Sequence, residues 1–190
     1  MLKLLPLDGP AITELYETRM RRDFPPSELK HLSSIMSMMD RGIYDVIGAY
    51  DEQDRFAAYA LLYRPEGEGI VLLDYLAVDE ERRGRGIGTQ LLLQLRAYYR
   101  DAAEVLLIEC ERPKAAPDEQ EARKRIRFYT QAGAVLTQVR IWLFGVEYSI
   151  LVLPCANAMP QRAWAAQMLK LYRQMLPPEL YEKNVRLIKE

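Results

Sequence analysis

The stretch "DYLAVDEERRGRGIGTQLLLQL", from Asp74 to Leu95, sets an apolar run, a burst of arginine and glycine, and a leucine-rich run side by side with no gap. It reads as a strand that ends in a cationic turn at the start of a helix. The first N–H groups of a helix lack internal partners and carry the positive end of its dipole, so such a turn suits an anion. Arg83, Gly86 and Gly88 form an Arg-x-x-Gly-x-Gly pattern, flanked by Arg82, Gly84 and Arg85. Small residues let backbone approach an anion closely, and successive N–H groups can point at its oxygens. The plainer reading is an exposed turn rich in arginine and glycine. A nucleotide-triphosphate loop is excluded because no Gly-Lys-Ser/Thr follows, and a dinucleotide fingerprint needs a different glycine spacing.

The surroundings of this motif set the fold class. Upstream, "ITELYETRMRRDF" places Ile12, Leu15, Tyr16 and Met20 at helical spacing, and "PPSELKHLSSIMSMMDRG" continues with Leu29, Leu32, Ile35, Met36 and Met39 up to Gly42. Three extended segments follow, "IYDVIGAYD", "RFAAYALLYR" and "GIVLLDYLAVD", expected as neighbouring antiparallel strands. After the motif, Ile87, Leu91, Leu95 and Tyr98 share a helical face, and "EVLLIECE" is strand-like. A helix over "DEQEARKRIRFYTQAG" aligns Ala122, Ile126 and Tyr129, and "AVLTQVRIWLFGVEYSILVLP" reads as a hairpin broken near Gly145. Trp164, Met168, Leu171 and Met175 then keep helical spacing until Pro177 and Pro178, with a further short element in "ELYEKNVRLIKE". The expectation is a mixed α/β (α+β) domain over residues 1–154, with a mostly antiparallel central sheet flanked by helices. A C-terminal helical extension, 155–190, then packs on that domain or at an oligomer interface.

With 190 residues, 49% of them hydrophobic, the chain can bury a core without metals or disulfides. A net charge of −1, from 26 basic and 27 acidic residues, gives no general attraction to nucleic acid or anionic membrane, so anion binding must be local. Cys110 and Cys155 sit among apolar neighbours and read as buried thiols in a reducing cytoplasm. The start "MLKLLPLDGP" fits neither a secretory signal nor a spanning helix. His31 is the only histidine, which leaves a histidine-based zinc site and a Ser–His hydrolase without support.

The chain resembles the GNAT acetyltransferase superfamily. "YLAVDEERRGRGIGTQLL" is similar to its acetyl-coenzyme A motif, and "RFYTQAGAVL" to its later helix and strand signature, in the same order, with the resemblance running from Leu2 to about Pro154. The resemblance implies a GNAT-like fold in which Arg83, Gly84, Arg85, Gly86, Ile87, Gly88 and Thr89 hold the coenzyme A pyrophosphate, with Arg82 or Arg85 adding charge. It also implies that the family's fourth strand splays from its fifth, so that Leu76, Ala77 and Val78 pair with the pantetheine arm. An N–H near Leu76 or Ala77 then polarises the thioester carbonyl. Acetyl-coenzyme A is the co-substrate, no metal is implied, and the other partner is an amine acceptor, in a monomer or a homodimer.

Acyl transfer to an amine needs the nucleophile neutral, although an alkyl ammonium titrates near ~10. Glu109 and Glu111 share one face of "EVLLIECE", roughly 7 Å apart at about 3.3 Å per residue. Glu109 matches a position that serves as base in some family members. Glu111 reads as a solvated strand end or a pair with Arg112 or Lys114, and Asp74 either lines the acceptor cleft or makes buried hydrogen bonds. Tyr129 matches the family tyrosine that protonates the departing thiolate, a role a neutral phenol can fill. Tyr44, Tyr50, Tyr59, Tyr63 and Tyr75 read mainly as strand packing. Together these imply an N-acetyltransferase acting by direct attack of a primary amine, on a cationic small molecule or a protein amino group. The rival reading is a non-catalytic acyl-coenzyme A sensor or interaction module.

Overall fold

The computed structural model describes residues 2–156 and 159–188. The chain divides into two compact units, one of Met1–Glu66 with Leu73–Gln94 and one of Gly67–Leu72 with Leu95–Glu190.

In the first unit the strand order is β1 (Lys3–Pro6), β2 (Tyr44–Tyr50), β3 (Phe56–Tyr63), β4 (Ile70–Val78), and β4 enters this unit at Leu73. β1 pairs antiparallel with β2, and β2 with β3, with a bulge at Ala49/Tyr50. Helix α1 starts at Gly9, capped by Asp8, whose carboxylate accepts from Ala11 N–H at 3.1 Å. It runs Gly9–Leu15, widens over Tyr16–Met20 and ends with Arg21–Asp23. The expected stripe is the buried one, with Ile12, Leu15, Tyr16 and Met20 all in the core. Helix α2 (Leu32–Asp40) is shorter than its apolar pattern: Leu29 precedes it, and Ile35 and Met38 are buried while Met36 is exposed. Four apolar residues in five left the register open, and packing on β2 selected one face. Helix α3 (Ile87–Tyr98) starts here.

In the second unit the order is β4, β5 (Val105–Glu111), β7 (Val146–Pro154), β6 (Val135–Leu143), β8 (Val185–Leu187). β5–β7, β6–β7 and β6–β8 are antiparallel. The β6–β7 turn is Phe144-Gly145, both at positive φ (46° and 92°), which matches the twist of a two-residue hairpin. β7 therefore lies between β5 and β6, and its Ile150, Leu151, Val152 and Leu153 are fully buried. At the end of α3 the buried aromatic is Tyr99; Tyr98, expected on the core face, is half exposed. Helix α4 (Glu119–Gln131), capped by Asp118, packs on β5 and β6 and buries Ala122 and Tyr129. Helices α5 (Trp164–Met175) and α6 (Pro178–Asn184) follow. The C-terminal segment was expected to be helical, yet it also supplies β8, which extends the sheet at Ile141–Leu143. α5 packs on β6 and β8 through Met168, Leu171 and Tyr172, and Lys170 pairs with Glu68 at 2.6 Å. Among the described residues, no helix is long and apolar enough to cross a membrane.

Candidate active site

The cationic turn lies in the first unit, where a short helical turn, Glu80–Arg82, connects β4 to the segment before α3. Asp79 starts that turn by accepting from Glu81 N–H at 3.2 Å, and the hydrogen bond from Arg19 holds its carboxyl below the usual carboxylate range. Gly84 and Gly86 both take left-handed backbone, φ 74° and 76°. A side chain at either would meet no atom within 4 Å, so glycine is required there by conformation and not by crowding within the protein. The Gln90 N–H donates to Gly86 C=O at 3.0 Å and closes the first turn of α3. Among the described residues, no N–H from Gly84 through Thr89 has an acceptor. This run of bare donors at a helix start is what an anion needs.

The arginines around it divide by partner. Arg82 is held by Asp51 at 2.6 Å, while Arg83 reaches Val78 C=O at 3.1 Å and Asp23 at 3.4 Å. Both brace the turn. Arg85 is exposed and has no partner among the described residues, which makes it, and not Arg82, the free cation at the turn. On β4 just upstream, Leu76 and Val78 are half-buried and Ala77 is buried. Asp74 is committed elsewhere, bound to Lys30 at 2.8 Å and to the Tyr44 hydroxyl. Asp74 thus makes the hydrogen bonds expected of it within the first unit. Tyr44, Tyr59, Tyr63 and Tyr75 are buried, as strand packing requires.

Glu109, Glu111 and Tyr129 belong to the second unit. Residues alternate across β5, so Cys110, fully buried, faces the side opposite Glu109 and Glu111. Burial pushes the Cys110 thiol up to about 12. Glu109 accepts a hydrogen bond from the hydroxyl of Tyr172 on α5, at 2.5 Å. Tyr172 carries no signal in the sequence beyond its position on an amphipathic helix. Glu111 lies 3.9 Å from Arg125 of α4, and Arg112, one of the two partners expected for it, instead pairs with Glu147 at 2.7 Å. Tyr129 is 8% exposed, and burial first, then the neighbouring Cys110, pushes its phenol well above 10. The hydroxyl is therefore neutral at any physiological pH, and it has no hydrogen-bond partner among the described residues. Carboxylate and free phenol thus serve opposite sides of one strand.

These features were compared with known proteins. The acetyltransferase (GNAT) family matches over residues 10–134, which includes the turn, both glutamates and Tyr129. No curated protein matches the chain. Among solved structures, a putative GNAT-family acetyltransferase from Bacteroides thetaiotaomicron is similar, with a TM-score of 0.71 at 18% identity over 90% of this chain and 96% of the other. The ribosomal-protein-S18-alanine N-acetyltransferase of Escherichia coli gives 0.61 at 18% identity, over 85% of this chain and 99% of that one. The Vibrio cholerae spermidine N-acetyltransferase, solved with CoA and spermine, gives 0.63 at 11% identity, over 80% and 95%. The chain belongs to the acetyltransferase (GNAT) family, and with it to the acetyl-coenzyme A-dependent acyltransferases.

Proposed function

We propose that this protein is an N-acetyltransferase that passes the acetyl group of acetyl-coenzyme A directly to a primary amine. The observation that carries this reading is the run of unpartnered N–H groups from Gly84 to Thr89 behind two left-handed glycines. These donors and Arg85 fit a pyrophosphate. Leu76, Ala77 and Val78 offer β4 backbone to the pantetheine arm, and an N–H at Leu76 or Ala77 stabilises the negative charge that develops on the carbonyl oxygen. When bound, acetyl-coenzyme A supplies the activated acyl group; the remaining chemistry is proton movement.

Glu109 takes the proton from the attacking nitrogen. The bound ammonium gives up its proton to this carboxylate, directly or through water, and the neutral nitrogen then attacks the acyl carbon. Tyr172 fixes the carboxylate by donating to it. On the other side of β5, Tyr129 donates to the sulfur as negative charge builds there. With its phenol raised above 10, Tyr129 acts chiefly as a neutral hydrogen-bond donor in the transition state. The Glu109 and Glu111 carboxylates favour a cationic acceptor, either a small molecule or a protein amino group. Two buried free thiols suit a reducing cytoplasm, where we place the protein as a monomer or homodimer. The Tyr172–Glu109 bond also favours a second reading, a non-catalytic acyl-coenzyme A-binding module whose carboxylate is permanently occupied.

The pH–rate profiles of wild type and Glu109→Gln separate these readings. If Glu109 is the base, the variant loses about 100- to 10,000-fold at neutral pH and recovers partly as rising pH supplies free amine. Tyr129→Phe should lower kcat by a similar factor while acetyl-coenzyme A affinity, measured by calorimetry, stays near wild type. An unchanged profile in Glu109→Gln would assign the proton to Glu111 or a water relay. A wild type without turnover on any amine would favour the binding module.

A further inference from the structure

On the Cys110 side of the second unit's sheet, a cavity of about 360 Å³ opens between α4 and β6. Ser149 faces this side, since it stands opposite Cys110 in the β5–β7 register and opposite Arg140 in the β6–β7 register. The cavity exists because β6 bulges: Leu136 to Arg140 runs opposite Leu151 to Ser149, so β6 carries extra residues. The Thr137 hydroxyl closes the bulge by donating to Ile150 C=O at 2.8 Å and accepting from Val139 N–H at 3.1 Å. On α4, Arg123 and Arg127 face the cavity from a flank turned away from Tyr129.

Two independent observations indicate what fits there. The first is charge. Arg112, Lys114, Arg123, Arg127 and Arg140 all line the cavity, in a chain whose net charge is −1. Glu147 and Glu119 offset Arg112 and Arg123 at 2.7 and 2.6 Å, but neither Lys114 nor Arg127 has a carboxylate partner among the described residues. The second is Ser149, which is 8% exposed and whose hydroxyl has no hydrogen-bond partner among the described residues. That hydroxyl lines the cavity and is open to it, so it can donate to a group seated there.

We propose that this cavity is a second anion site, built for a small molecule bearing two or more phosphate groups. Guanidinium groups bind phosphate oxygens in pairs, and Ser149 adds a neutral donor at the floor. Its volume sits at the small end of ligand pockets, about 300–1,000 Å³. Lys114, Arg123 and Arg127 are exposed, so affinity should fall as salt rises.

The test is calorimetry of the full chain with inorganic pyrophosphate, with and without saturating acetyl-coenzyme A. Binding of one equivalent in the presence of acetyl-coenzyme A is expected. Arg127→Glu and Ser149→Ala should each weaken it by about tenfold or more. Arg127 is exposed, so its reversal should keep the wild-type melting temperature; Lys114→Glu gives an independent arm. Absence of pyrophosphate binding, or binding indifferent to Arg127, Lys114 and Ser149, would overturn the proposal. Displacement by acetyl-coenzyme A would assign the cavity to the co-substrate instead, and equal affinity for citrate would refute the preference for phosphate.

Discussion

Glu109 and Tyr172 are separated by 63 positions in sequence and joined by one hydrogen bond. Tyr172 lies beyond the family match, which ends at 134, so the proposed base takes a hydrogen bond from an element outside the matched segment. If Tyr172 acts through Glu109, Tyr172→Phe should lower kcat by roughly tenfold or more, the worth of a hydrogen bond to a charged group. Acetyl-coenzyme A affinity should stay near wild type. In a Glu109→Gln background the same change should add little, and this non-additivity is the readout a packing role would not give. Full additivity of the two losses would place Tyr172 outside the chemistry. Glu109 and Tyr129 were legible as candidates because alternation along "EVLLIECE" and the motif around Tyr129 are local. Tyr172 was not, because its contact is set by where α5 docks. For the same reason the sequence offered Arg82 and Arg85 as equals: only the fold shows Asp51 occupying Arg82.

At the level of elements, the turn before α3 is the most constrained piece of the first unit. Gly86→Ala keeps the side chain small and clear of protein atoms, so its effect is conformational. A non-glycine residue in left-handed backbone costs about 1–2 kcal/mol. Acetyl-coenzyme A binding, measured by calorimetry, should weaken by about tenfold from misdirected N–H groups, together with a slightly lower melting temperature. The elements themselves were readable where period and punctuation agree, as in the stripe of α1 and the turn at Phe144-Gly145. They were not where apolar residues crowd, as at Met36 and Met38 or Tyr98 and Tyr99, because several registers then present an apolar face and tertiary packing decides. β8 escaped notice since a short strand takes its meaning from the edge it pairs with. Truncation after Pro154 would strip β8 and α5 from β6, exposing Ile141 and Leu143, now 0% and 5% accessible. A lower melting temperature or aggregation should follow; a truncate as stable as the full chain would show that these elements add nothing to the second unit.

For the molecule as a whole, an almost neutral chain concentrates opposite charges locally: bare donors and Arg85 at the turn, carboxylates on one side of β5, cations in the cavity beside α4. Membership of the acetyltransferase (GNAT) family fixes the donor, and the charge pattern directs attention to cationic acceptors. The central claim is that acetyl moves from acetyl-coenzyme A to a primary amine on this protein. The most direct measurement follows coenzyme A thiol release and acetylated product together, across a panel of polyamines, amino acids and peptides with free amino termini. Thiol and acetylated amine should appear in equal amounts, most with a cationic acceptor, and should be lost in Glu109→Gln at neutral pH. Tight acetyl-coenzyme A binding, with thiol release no faster than background hydrolysis for every amine, would contradict it.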